Sequence, residues 1–141
     1  MNFRKGKLGF IFFLVAILFV SKSSFVRSQN LVPNASFEDY TNCPYVLNRV
    51  NYAVGWSSFN KTPDYYNACG DSTSQVSVPS NVYGFQYAAS GNAYCGFYTY
   101  VWVIPDYREY VGCELSAPLG INKKYYVSLQ ASLADPQNCA T

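Results

Sequence analysis

The chain opens on a sharp polar-to-apolar alternation of blocks. Arg4, Lys5 and Lys7 precede residues 8–20 (LGFIFFLVAILFV), an uncharged run of 13 residues, and a polar tail, SKSSFVRS, follows it. A basic start, an apolar core and small residues ahead of a cut are the three parts of a secretory signal peptide. The run falls short of the roughly 20 residues that cross a bilayer, which disfavours the alternative of a retained anchor. The pattern therefore predicts an N-terminal signal helix, a signal peptide over 1–28 and a mature chain 29–141 with no stable membrane span. No cysteine lies at the expected cut, so there is no lipoprotein signal.

Beyond Gln29 no stretch repeats with a helical period, whereas several alternate every second residue. Residues 124–133 (KYYVSLQASL) put Tyr125, Val127, Leu129, Ala131 and Leu133 on one side and Lys124, Tyr126, Ser128, Gln130 and Ser132 on the other. This is the pattern of a strand with one buried face. Residues 92–103 (NAYCGFYTYVWV) place Ala93, Cys95, Phe97 and Val101 opposite a row of rings, Tyr94, Tyr98, Tyr100 and Trp102. Residues 107–115 put Val111, Cys113 and Leu115 on a core face, and further strands are predicted at 31–37, 54–58 and 82–87. Turn signals fall at 90–92, 105–106 and 118–122. Residues 60–80 read as a long loop with no structure of its own. Short strands, polar loops and no helix predict an all-β chain, an antiparallel β-sandwich in one domain.

Composition narrows the chemistry. Apolar residues are 50% and charged residues 13% of 141, enough for a packed core and against wholesale disorder. There is no histidine, so a Ser-His-Asp or Cys-His nucleophile and any His-ligated metal are excluded. The formal charge is +2, but the leader carries Arg4, Lys5, Lys7, Lys22 and Arg27 and no acid. The mature chain keeps five basic and eight acidic residues, a net −3, which removes the basic-surface case for nucleic acid.

The five cysteines contain no C-x-x-C pair. In an exported chain disulfides persist. Cys43 and Cys69 bracket the polar loop region and are expected to pair, stabilising the fold by roughly 3 kcal/mol in the chain-entropy account. Cys95 and Cys113 lie on the apolar registers of two strand-like runs; they are read either as a second bridge or as two buried thiols. Cys139 is left without an assigned partner.

The mature start, Asn30-Leu31-Val32-Pro33-Asn34-Ala35-Ser36-Phe37-Glu38, followed by Gly55-Trp56, resembles the opening of jelly-roll modules of the galactose-binding-like superfamily, which includes many carbohydrate-binding modules. More narrowly, TNCP at 41–44, TPDYYNAC at 62–69, GNAYCGFYTY at 91–100, YREY at 107–110, and LSAPL with KKYYVSLQASLAD over 115–135 resemble an N-terminal domain of exported Bacteroidetes envelope proteins. Those proteins often continue into an OmpA-like peptidoglycan-binding domain or a gliding-motility-type sorting domain. The resemblance implies a jelly roll that needs one or more further strands after residues 124–133 to close its sheets, hence the expectation of a truncated product or a fragment of a longer coding region. It also implies that Glu38 is a candidate ligand of a structural calcium, a hard cation suited to carboxylate oxygen.

The row Tyr94, Tyr98, Tyr100 and Trp102 is the candidate ligand-binding surface, since the C–H faces of sugars pack on aromatic rings. The plainer alternative is that these rings stabilise strand pairing. Arg108 and Glu109 read as an ordinary solvated charge pair. Glycosidases work with two carboxylates, but Asp64 with Asp71, or Glu109 with Glu114, are not paired by any spacing in the sequence, and no catalytic residue is assigned. Asn34-Ala35-Ser36 and Asn60-Lys61-Thr62 fit the glycosylation sequon. The expectation is a non-catalytic exported module, in the periplasm, at the outer-membrane surface or secreted, that binds a glycan or another envelope component. A structural or adhesion domain is the alternative, and a small glycan hydrolase a third.

Overall fold

The computed structural model describes residues 29–134; the expected leader over 1–28 and Cys139 lie outside the described residues. Six short strands follow in order: β1 Trp56–Asn60, β2 Asp64–Asn67, β3 Ser80–Asn81, β4 Gly84–Phe85, β5 Ala93–Gly96 and β6 Tyr110–Cys113. A 3-10 turn at Val50–Tyr52 precedes them. The strands pair antiparallel as three two-stranded ribbons, β1 with β6, β2 with β5 and β3 with β4. The regular structure of the described residues is strand with almost no helix, consistent with the all-β class that the alternation predicts. The two stacked sheets of the expected sandwich are not formed by the described residues, which make ribbons instead.

Several predicted strands are corrected. Residues 31–37 form turns, because Asn34 and Phe37 take left-handed backbone with φ of 45° and 63°. The Asn34 side chain holds that conformation, donating through Nδ2 to the carbonyls of Asp39 (2.8 Å) and Val54 (2.9 Å) and accepting from the Asp39 N–H (3.0 Å). Residues 60–80, read as a structureless loop, contain β2, and all four of its residues are buried. Their polarity hid this: each buried polar side chain finds an internal hydrogen-bond partner, which offsets part of the cost of burying it. Asn67 donates to the Tyr65 hydroxyl (2.7 Å), which donates to the Phe37 carbonyl (2.8 Å).

The clearest predicted strand, 124–133, is not a strand. It pairs with no other segment among the described residues and is exposed throughout, with Val127 and Leu133 more than nine-tenths open to solvent. Alternation states what a strand would bury, not whether a sheet edge is there to receive it. The run 92–103 keeps only its first part as β5, and 107–115 only its middle as β6.

The core is small. Ala53, Tyr65 and Ala93 form its centre, with Phe37, Tyr52 and Trp56 packed against them. Phe37 stacks on Trp56 with ring centroids 4.4 Å apart, and the Trp56 indole N–H donates to the Asn34 carbonyl (2.9 Å). Gly55 turns the chain into β1 at φ +83°, a region that a side chain rarely adopts. At Gly96 a Cβ would come within 2.6 Å of the Tyr66 ring.

Cys43 and Cys69 are bonded, with Cα atoms 5.9 Å apart. Cys95 and Cys113 are free thiols, so the second bridge expected for them does not form. The ribbons explain why: Cys95 on β5 faces Tyr65 of β2, whereas Cys113 on β6 faces Trp56 of β1.

Candidate functional site

Where the ends of β1, β2, β5 and β6 converge, two carboxylates are buried. Asp64, the first residue of β2, accepts from the Asn48 N–H (2.7 Å) and from the Tyr66 hydroxyl (3.2 Å). Glu109 precedes β6 and is only 4% exposed, so the solvated pair expected of Arg108 and Glu109 is corrected. Its Oε2 accepts from the Tyr98 N–H (2.9 Å), and its Oε1 accepts from the Tyr107 hydroxyl (3.0 Å) and from the hydroxyl and N–H of Thr62 (3.3 and 3.4 Å).

The electrostatics follow from burial. Desolvation pushes the Asp64 carboxyl above its ordinary value; the Asn48 and Tyr66 hydrogen bonds offset part of this, and the charge of Glu109 adds to it. Burial, then the neighbouring Asp64 and Glu109, pushes the Cys95 thiol up to about 12. A thiol held there is an inert space-filler at neutral pH. The Tyr66 phenol is raised by burial first and by Asp64 second. The sequence offered Asp64 with Asp71 and Glu109 with Glu114; the fold couples Asp64 to Glu109 instead. Asp71 is exposed and caps its own loop through the Thr73 N–H (2.9 Å). With their oxygens accepting from neighbouring donors and both residues closed to solvent, Asp64 and Glu109 hold structure.

What Glu109 holds is an aromatic surface. Glu109 brackets Tyr98 twice, by its carboxylate on the Tyr98 N–H and by its own N–H on the Tyr98 carbonyl (2.9 Å). The Tyr98 ring meets Tyr83 and Tyr107 edge to face, at centroid distances of 6.0 and 6.4 Å, and its hydroxyl donates to that of Tyr83 (3.0 Å). Lys61 Nζ sits 5.3 Å from the Tyr107 centroid, and the Arg108 guanidinium 5.1 Å from that of Tyr100. Tyr98, Tyr100 and Trp102 are exposed. Tyr94 departs from the predicted row: half-buried, it stacks on Tyr66 at 4.7 Å and accepts from the Asn81 amide (2.8 Å). The contacts therefore join Tyr83 and Tyr107 to Tyr98, two rings that the alternation of 92–103 did not include.

Glu38 serves as a latch. Its Oε1 accepts from the N–H groups of Asn92 (2.8 Å) and Ala93 (3.0 Å), tying the N-terminal turns to the start of β5. Among the described residues no group of three or more acidic or cysteine side chains gathers around a point fit for a metal ion.

No protein-family model matches the chain, and no curated protein or solved structure matches it either.

Proposed function

We propose that this chain is a non-catalytic exported module that binds a glycan of the cell envelope through the surface of Tyr98, Tyr100 and Trp102, extended by Tyr83 and Tyr107. The observation that carries the reading is the rigid mounting of Tyr98. An exposed ring braced by Tyr83 and Tyr107, with its backbone clamped by a buried carboxylate, loses little freedom when a ligand packs on it. Perpendicular neighbours make a notched surface, suited to receiving the C–H face of one sugar against Tyr98 while phenol hydroxyls meet its oxygens. Burial of Asp64 and Glu109 supports a binding role over a hydrolytic one, since a glycosidase needs both carboxylates open to its substrate. The Cys43–Cys69 bond fits an oxidising compartment. A jelly-roll relationship to exported envelope domains is part of the same proposal and rests on the sequence motifs.

The test is affinity electrophoresis of the mature chain through gels containing cell-wall and capsular polysaccharides. Saturable retardation, lost in Tyr98→Ala and in Trp102→Ala while circular dichroism is unchanged, is the expected result. Equal mobility in every polysaccharide overturns the reading and favours the second one, a structural or adhesion domain. The exposed apolar residues Ile121, Val127, Leu129 and Leu133 favour that second role, as a surface for a neighbouring chain or domain.

A further inference from the structure

We infer that the glycan taken by this surface is acidic, a carboxylate-bearing saccharide of the uronate type, bound with its carboxylate at Lys61 and its ring against Tyr107 and Tyr98. The inference rests on the glycan reading above and specifies its ligand.

Three observations carry it. Lys61 lies over the Tyr107 ring, and Tyr107 is in edge contact with Tyr98, so cation and rings form one continuous surface. Neither Lys61 nor Arg108 makes an ion pair among the described residues; Arg108 donates only to the Tyr107 carbonyl (2.8 Å) and lies over Tyr100. The Asn60 amide donates to the Arg108 carbonyl (2.9 Å), fastening together the two segments that carry these cations.

The nearby acids do not neutralise them. Glu109 is buried, its oxygens taken up by the Tyr98, Tyr107 and Thr62 donors, and Asp106 is exposed in the turn ahead of Tyr107 without an ion pair to either cation. Because the mature chain is net −3, positive charge on the aromatic surface is not the overflow of a basic protein. A neutral sugar would use the rings and leave both cations idle. A uronate offers each what it lacks: a C–H face for Tyr98 and Tyr107, and a carboxylate for the ammonium, with the guanidinium of Arg108 available to the next acidic residue of a polymer.

The experiment compares polygalacturonate, alginate and hyaluronan, each beside its carboxyl-reduced neutral form, by affinity electrophoresis and calorimetry at low and high salt. It uses the mature chain and the variants Lys61→Gln, Arg108→Gln and Trp102→Ala. At least one acidic polymer is expected to bind about tenfold or more tightly than its neutral counterpart. That preference should weaken with salt and with Lys61→Gln, whereas Trp102→Ala should weaken both forms. If a reduced polymer binds as well as its parent and Lys61→Gln changes nothing, the acidic inference falls and the glycan reading stands. If no polymer, acidic or neutral, binds at any salt, the glycan reading fails and takes this inference with it.

Discussion

At the scale of single residues, the most informative side chains are acids that sequence rules place on the surface. Glu109 shares its register with Val111 and Cys113, so the alternation that identified a core face over 107–115 already pointed Glu109 inward. The general preference of carboxylates for water outweighed that register, and nothing local announces the Tyr98 and Thr62 donors that reverse it. Asp64 yields a pH prediction. Its folded value is raised from 3.8, so between 3.8 and the raised value the folded chain holds more protons than the unfolded one. Stability therefore falls as pH rises through that window, and ionised Asp64 remains a fixed cost above it. In Asp64→Asn the Asn48 N–H keeps its acceptor and the Tyr66 hydroxyl changes from donor to acceptor. Thermal melts from about pH 4 to 7 should lose this downward slope, with stability at pH 7 equal to wild type or higher by about 1 kcal/mol. An unchanged slope would assign the pH dependence to another group.

At the scale of elements, legibility tracked how far each strand is apolar. β5 and β6 fall inside alternating runs and were read, though too long. β2 is written in Asp, Tyr and Asn, and its burial depends on hydrogen bonds to the Phe37 carbonyl and from the Asn48 and Cys69 N–H groups, which lie outside its own pattern. Residues 124–133 show the reverse case, a strong pattern without a neighbour. Their ties to the rest are slight, a Ser132 hydroxyl donating to Gln86 (3.1 Å) and the Tyr125 hydroxyl accepting from Gly120 (2.7 Å). The paired substitution Val127→Lys with Leu129→Lys should thus leave chemical unfolding within about 0.5 kcal/mol of wild type. It should also lower dye binding and self-association, as expected when an apolar strip is broken by charge. A loss of several kcal/mol would mean that the segment is docked in solution.

At the scale of the whole molecule, the all-β class was legible and the arrangement of ribbons was not. β1 pairs with β6 across more than 40 intervening residues, a partnership that depends on where the other segments settle. Cys43–Cys69 was recoverable because both cysteines flank a loop-like stretch rich in Asn, Ser, Pro and Tyr, while the separation of Cys95 from Cys113 follows from ribbon pairing alone. The bracing of Asn34 has a consequence for how the protein is made. Its amide nitrogen spends both hydrogens on the Asp39 and Val54 carbonyls, and that of Asn60 reaches Arg108, yet both residues stand in glycosylation sequons. In a yeast or mammalian secretory pathway the transferase meets the nascent chain before those bonds exist, and a sugar on Asn34 takes one of the two hydrogens. Secretion from such hosts should give little folded product until Ser36→Ala removes the acceptor signal, whereas bacterial periplasmic expression should need no such change.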